Sequence, residues 1–122
     1  MTVAKLWCTP NGQFCALEAE GHAGSAVRGT NVVCAAVSML LRTTLDVLEH
    51  SKGITVVSDA PERGVLNFRV RSDGTEKSAV VAERLICTAD YLKLGLSALA
   101  EEYPDEVSVE CFVEQTLTEQ TN

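Results

Sequence analysis

Alternation of apolar and polar side chains predicts five strands. Pro10-Asn11-Gly12 separates the first two and favours a hairpin turn, and Asp59 to Gly64 separates the next two in the same way. In the fourth strand Leu66, Phe68 and Val70 would face inward. The predicted strands are residues 3–9, 13–20, 54–58, 65–71 and 107–113.

Apolar residues spaced by three or four predict a first helix from Val32 to about His50, which Thr30 or Asn31 can cap. The same spacing predicts a longer helix from Glu76 to about Glu102, after a turn and cap at residues 72–75. The stripe of the first helix is Cys34, Val37, Leu41, Leu45 and Leu48, and that of the second is Leu85, Ala89, Leu92, Leu96 and Leu99.

The resulting order, ββαββαβ, indicates an α+β fold with an antiparallel or mixed sheet and both helices packed on it. A chain of 122 residues has room for one core, so residues 1–122 are expected to form a single domain. The second predicted helix would extend about 40 Å, which is long for so small a domain. A homodimer would bury the excess apolar surface.

The net charge of −7 lies entirely in the C-terminal quarter, since residues 94–122 contain seven acids and no lysine or arginine. This distribution argues against direct nucleic-acid binding, which needs clustered basic side chains, and it favours a basic protein partner. We find no apolar run long enough for a membrane span and no signal-peptide pattern at residues 1–5. A cytoplasmic protein with no membrane association is expected.

Five cysteines without a C-x-x-C pair indicate reduced thiols. Their wide spacing, and the isolation of both histidines, predict no metal site, and no motif points to a cofactor. We interpret Cys8, Cys15, Cys87 and Cys111 as packing residues, because they fall inside strand or helix patterns.

Cys34 differs because it falls in the first turn of the first helix. Unpaired backbone N–H groups and the helix dipole favour a thiolate there. The preceding glycine-rich segment, Gly21 to Asn31, is predicted to be a mobile loop and contains His22, whose imidazole is a suitable base. The two residues are therefore a possible Cys–His dyad.

Spacing by itself leaves other interpretations open. Cys34 among valines and alanines could be a small buried apolar residue, and a loop histidine could be merely solvated. Ser38, one turn after Cys34, could hydrogen-bond toward the loop or back to a carbonyl of its own helix.

A longer string is more specific: Gly21-His22-Ala23, then Gly29, then Val33-Cys34-Ala35-Ala36-Val37-Ser38, with Gly95-Leu96 through Tyr103-Pro104 later in the chain. It resembles the signature of the Prp family of bacterial ribosomal-processing cysteine proteases. The resemblance covers nearly the whole chain.

The resemblance implies a small dimeric cytoplasmic endopeptidase that removes the N-terminal extension of the twenty-seventh large-subunit ribosomal protein. It implies catalytic roles for His22 and Cys34 and supporting roles for Gly21, Gly29 and Ser38. Family members commonly have aspartate where this chain has Asn31, whose amide can cap the helix and accept a hydrogen bond but has no charge. A noncatalytic ribosome-assembly module, which binds a basic ribosomal protein segment through its acidic surface, is the alternative.

Overall fold

The computed structural model describes residues 1–21, 32–61 and 64–114. They form seven elements in the predicted order ββαββαβ, with boundaries within two residues of those expected. The elements are β1 (Thr2–Cys8), β2 (Phe14–Gly21), α1 (Val32–Glu49), β3 (Ile54–Asp59), β4 (Val65–Ser72), α2 (Ser78–Glu102) and β5 (Val107–Val113).

The five strands form one mixed sheet in the order β3-β4-β2-β1-β5. The β1–β2, β2–β4 and β3–β4 pairs are antiparallel, whereas β5 runs parallel to β1. Of the two sheet types that the sequence allowed, the mixed one is therefore correct. Strand β2 lies at the centre, and its last residue, Gly21, is opposite Thr2 of β1.

Both helices pack on one face of the sheet. The β1–β2 register places Leu6 opposite Leu17 on that face, and both side chains are fully buried. The buried residues of α1 are Val33, Val37, Leu41, Thr44 and Leu48. The predicted stripe is correct at three positions, but Val33 and Thr44 are buried instead of Cys34 and Leu45. Cys34 consequently lies at the border of the core.

Helix α2 has the predicted core stripe, with Leu85, Ala89, Leu92 and Leu96 buried. Its start is later than expected: Lys77 is the N-cap, and no side chain caps the helix. The residues predicted as turn and cap form only the turn, in which the Asp73 carboxylate accepts a hydrogen bond from the backbone N–H of Thr75 at 2.9 Å. A hydrogen bond from the Thr75 hydroxyl, and then the bond from its N–H, lower the pKa of Asp73.

The other face of the sheet carries no helix in the described part of the chain. Trp7 stacks there on Phe112 with ring centroids 5.2 Å apart. A bulge between Trp7 and Cys8 makes Cys15 the extra residue of β2. Beside Cys15, the Arg69 guanidinium binds both carboxylate oxygens of Glu114, at 3.1 and 3.0 Å.

Neither described helix is long and apolar enough to cross a membrane. Within residues 1–21, 32–61 and 64–114, no group of three histidine, cysteine or acidic side chains could hold a metal ion.

Candidate active site

Cys34 is the third residue of α1, between the buried side chains of Val33 and Val37, and is itself half-buried. Backbone N–H groups in the first turn of a helix have no intrahelical partner and point toward the helix start. A thiol at this position can therefore react next to donors that stabilise negative charge. The interpretation of Cys34 as a sealed core residue is wrong, because its side chain also borders a cleft.

The cleft has a volume of about 180 Å³ and lies where α1 faces the ends of three strands. A cavity of about 150 Å³ can hold a benzene ring, so this cleft has room for one large apolar side chain of a peptide. Its described lining residues are Thr2, Ala19, Gly21, Cys34, Val37, Ser38, Leu41, Arg42, Ala60, Gly64, Val65 and Leu66.

Three of the predicted site residues, Gly21, Cys34 and Ser38, line this one cleft. The other three, His22, Gly29 and Asn31, lie outside the described residues, as does the predicted mobile loop after Gly21. The Cys–His dyad and the roles of Gly29 and Asn31 therefore stay predictions.

Ser38 is exposed one turn after Cys34. Its hydroxyl makes no hydrogen bond to a described residue, whereas Thr44, on the same helix, donates to the Leu40 carbonyl at 2.7 Å. The alternative in which Ser38 bonds back to its own helix is thus not observed. The hydroxyl is available to a bound peptide or to residues beyond the described ones.

Gly21 is placed by two close backbone contacts at the edge of the cleft. Its N–H donates to the carbonyl of Gly64 at 2.8 Å, and a Cβ on Gly21 would lie 2.8 Å from Cα of Thr2. Gly64 has φ +84°, and a Cβ there would overlap the carbonyl oxygen of Gly21. Both positions therefore require glycine where β1, β2 and the β3–β4 turn meet.

Sequence reasoning missed Thr2, Gly64 and Arg42 as cleft residues. Arg42 had a readable signal, because positions 34, 38 and 42 are spaced by four and lie along one side of a helix. Thr2 reaches the cleft as the partner of Gly21 at the open end of the predicted β1–β2 hairpin. Gly64 had no signal, since it meets Gly21 only through the pairing of β2 with β4.

The other thiols differ from Cys34 in place or in chemistry. Burial, followed by the nearby Glu114 carboxylate, raises the pKa of Cys15 to about 12, and burial also raises the pKa of Cys8. These two are packing residues as predicted. That prediction is wrong for Cys87 and Cys111, which are exposed and do not line the cleft.

Comparison with solved structures supports the fold over almost the full chain. SMU.848 from Streptococcus mutans is 30% identical, with a TM-score of 0.73 over 93% of this chain and 96% of that one. Two structures are described as the essential ribosomal processing protease Prp from S. aureus, one with a substrate peptide and one with a covalently linked product peptide. They are 16% and 14% identical, with TM-scores of 0.70 and 0.63, over 91% of this chain and 99% of those chains.

The family profile gives the more specific result. A search of curated proteins finds no match. The profile of the family described as "Cysteine protease Prp" matches residues 1–108, most of the chain, and the match includes the cleft and Cys34. The chain is therefore a cysteine protease that belongs to the Prp family.

Proposed function

We propose that this protease removes the N-terminal extension from the precursor of the twenty-seventh large-subunit ribosomal protein, with Cys34 as nucleophile and His22 as base. The observation that carries the proposal is Cys34 in the first turn of α1, on the wall of a cleft with room for one large side chain of a peptide. Gly21, on the same cleft, directly precedes His22 in sequence. Family membership favours this activity over the noncatalytic alternative.

The reaction is acyl transfer in two steps. His22 removes the Cys34 proton, and the sulfur attacks the scissile carbonyl to form a tetrahedral intermediate. Backbone N–H groups at the start of α1 are positioned to stabilise its oxyanion. The C–N bond then breaks, the amine leaves with the proton held by His22, and water hydrolyses the thioester to release the acid and restore the thiol.

Asn31 is proposed as the orienting group for His22, a role that amide side chains can fill in cysteine proteases. The ribosomal substrate is supported by the S. aureus structures, which are described as a ribosomal processing protease and contain peptides. We also propose a cytoplasmic homodimer. Exposed apolar side chains on the helices, Val32, Met39 and Leu94 among them, support self-association, which sedimentation velocity would measure.

The decisive experiment is cleavage of a peptide that spans the extension junction of the precursor, followed by mass spectrometry. Cys34→Ala should lower kcat/KM at least about a thousandfold, because no second group can form the thioester. His22→Gln should lower it by a comparable factor. Cys87→Ala is the matched control, since that thiol is exposed but outside the cleft, and it should cleave as wild type does. Intact peptide with wild-type enzyme, or cleavage by Cys34→Ala, would refute the proposal.

A further inference from the structure

Arg42 is the one charged residue among the described residues that line the cleft. It is exposed, and it makes no hydrogen bond or ion pair with any other described residue. Two other arginines are engaged: Arg69 with Glu114, and Arg84 with the Ser51 hydroxyl at 3.2 Å. Arg42 is therefore a positively charged residue of the cleft whose donors are not used by any other described residue, although the protein as a whole is acidic.

Arg42 lies two turns after Cys34 on α1, and both line the same cleft. Eight residues of helix correspond to about 12 Å along the axis, or the length of three to four residues of an extended peptide. Helical side chains lean toward the start of their helix, which brings the guanidinium back toward Cys34. A peptide whose scissile carbonyl is at Cys34 would therefore pass Arg42 about three residues away.

The described residues that line the cleft are mostly apolar, with Val37, Leu41 and Leu66 among them. A peptide that binds there gives up hydrogen bonds to water and contacts apolar surface instead. Each of its backbone carbonyls that loses such a bond without finding a new donor weakens binding. A guanidinium offers five N–H donors in a rigid planar group. The guanidinium of Arg42 can thus donate the hydrogen bonds that a peptide carbonyl no longer receives from water.

We propose that Arg42 is a substrate-binding residue that donates hydrogen bonds to an oxygen of the peptide about three residues from the scissile bond. The acceptor that we favour is a main-chain carbonyl, because one is present at every position of any peptide. This inference rests on the proposed peptidase function and adds where the substrate is held.

The test compares Arg42→Met with Arg71→Met. Arg71 is also exposed and lies on β4, outside the cleft, so it is a matched control for the loss of one positive charge. With the junction peptide as substrate, Arg42→Met should raise KM about tenfold or more, because a hydrogen bond from a charged donor is lost, with a smaller change in kcat. Arg42→Lys should recover part of the loss. Arg71→Met should match wild type, and equal KM values for Arg42→Met and Arg71→Met would overturn the proposal.

A binding measurement separates this proposal from the proposed function. Fluorescence anisotropy of the junction peptide, and of a pool of random decapeptides, is measured on Cys34→Ala with and without Arg42→Met. If wild-type enzyme does not cleave the junction peptide, the proposed function fails. The anisotropy of the random decapeptides then tests by itself whether Arg42 binds peptide. Weaker pool binding after Arg42→Met supports the proposal, and unchanged binding refutes it.

Two peptide series identify the acceptor. Replacing single amide bonds by esters weakens the preceding carbonyl as an acceptor, so one position should lose affinity in wild type but not in Arg42→Met. Glutamate placed at successive positions of the peptide tests whether the acceptor is a side-chain carboxylate instead. A gain in affinity at one position, lost in Arg42→Met and without an ester effect, would overturn the main-chain assignment.

Discussion

The two ends of β2 each lie beside a cysteine, and the two thiols are in opposite situations. At the start of the strand, Cys15 is buried at the bulge next to the paired side chains of Arg69 and Glu114. At its end, Gly21 borders the cleft in which Cys34 is half-buried and Arg42 and Ser38 have no described partner. One strand thus joins a region whose charged side chains pair with each other to a cleft in which two polar side chains, Ser38 and Arg42, have no partner among the described residues.

The difference lies in the surroundings of the two thiols. Burial and a nearby carboxylate penalise the thiolate of Cys15, whereas Cys34 is only half-buried, in the first turn of a helix and on the wall of a cleft. Both residues are cysteines within an apolar sequence context, so residue type alone does not separate them.

The rate of alkylation should show the largest difference between the cysteines at the two ends of β2. With a pKa of about 12, about one in ten thousand Cys15 thiols is ionised at pH 8. In a variant with Cys87→Ser and Cys111→Ser, iodoacetamide should label Cys34 at least about a hundredfold faster than Cys15, since the thiolate is the nucleophile. Mass spectrometry of tryptic peptides gives the two rates. Equal rates would show that the two thiols are not distinguished as described.

The glycine contacts should give an intermediate effect. Gly64→Ala would push the backbone of Gly21, and so move the cleft edge and the chain that continues to His22. We expect kcat/KM to fall about tenfold to a hundredfold, as for small misplacements of catalytic groups. Gly74→Ala is the control: its φ is +82°, close to that of Gly64, but a Cβ there meets nothing within 4 Å. Gly74→Ala should lose about 1–2 kcal/mol of unfolding free energy because of its positive φ. Gly64→Ala should lose at least as much, because its Cβ would also overlap the carbonyl oxygen of Gly21.

Equal losses of kcat/KM in Gly64→Ala and Gly74→Ala would contradict this prediction, since backbone strain at a positive φ would then explain both losses without the contact between Gly64 and Gly21. Urea titration of each variant shows whether the stability losses match.

The ion pair at the Cys15 end should give the smallest effect. The hydrogen bonds from Arg69 hold the pKa of Glu114 below its ordinary 4.5, so the pair stabilises the folded protein above that pH. This contribution is lost as the pH falls through the folded-state pKa. Because Arg69 is 48% exposed, solvent screening limits the contribution to about 1 kcal/mol or less. The unfolding free energy of wild type minus that of Glu114→Gln should be positive at pH 7 and decrease as the pH is lowered below 4.5, with cleavage activity unchanged at pH 7.

Local patterns were sufficient to predict the element order, because alternation and helical spacing reflect which side chains are buried. They were not sufficient for the parallel placement of β5, which follows a long helix and can pair on either side. The exposure of Cys87 and Cys111 and the late start of α2 were also missed, since these depend on how far each element is covered by its neighbours.

The site was predicted where its residues are close in sequence. Cys34 and Ser38 lie on one side of a single helix, and the structure places both on the cleft. Gly64 could not be predicted, because its contact with Gly21 exists only through the pairing of β2 with β4. Arg42 continues the row of Cys34 and Ser38 at the same spacing of four and could have been found from it. That this row borders the cleft agrees with the burial of Val33 and Thr44 on the neighbouring side of α1.

The parallel pairing of β1 with β5 also helps to hold one residue of the cleft wall in place. Thr2 lines the cleft, and its N–H is held by the carbonyl of Glu106 at 2.8 Å, at the point where Thr2 is opposite Val107. Contacts between such distant positions close a long loop and form late in folding. A chain in which β5 has not yet paired therefore lacks the hydrogen bond that holds the N–H of Thr2, and this side of the cleft is then held only by the pairing of Thr2 with Gly21.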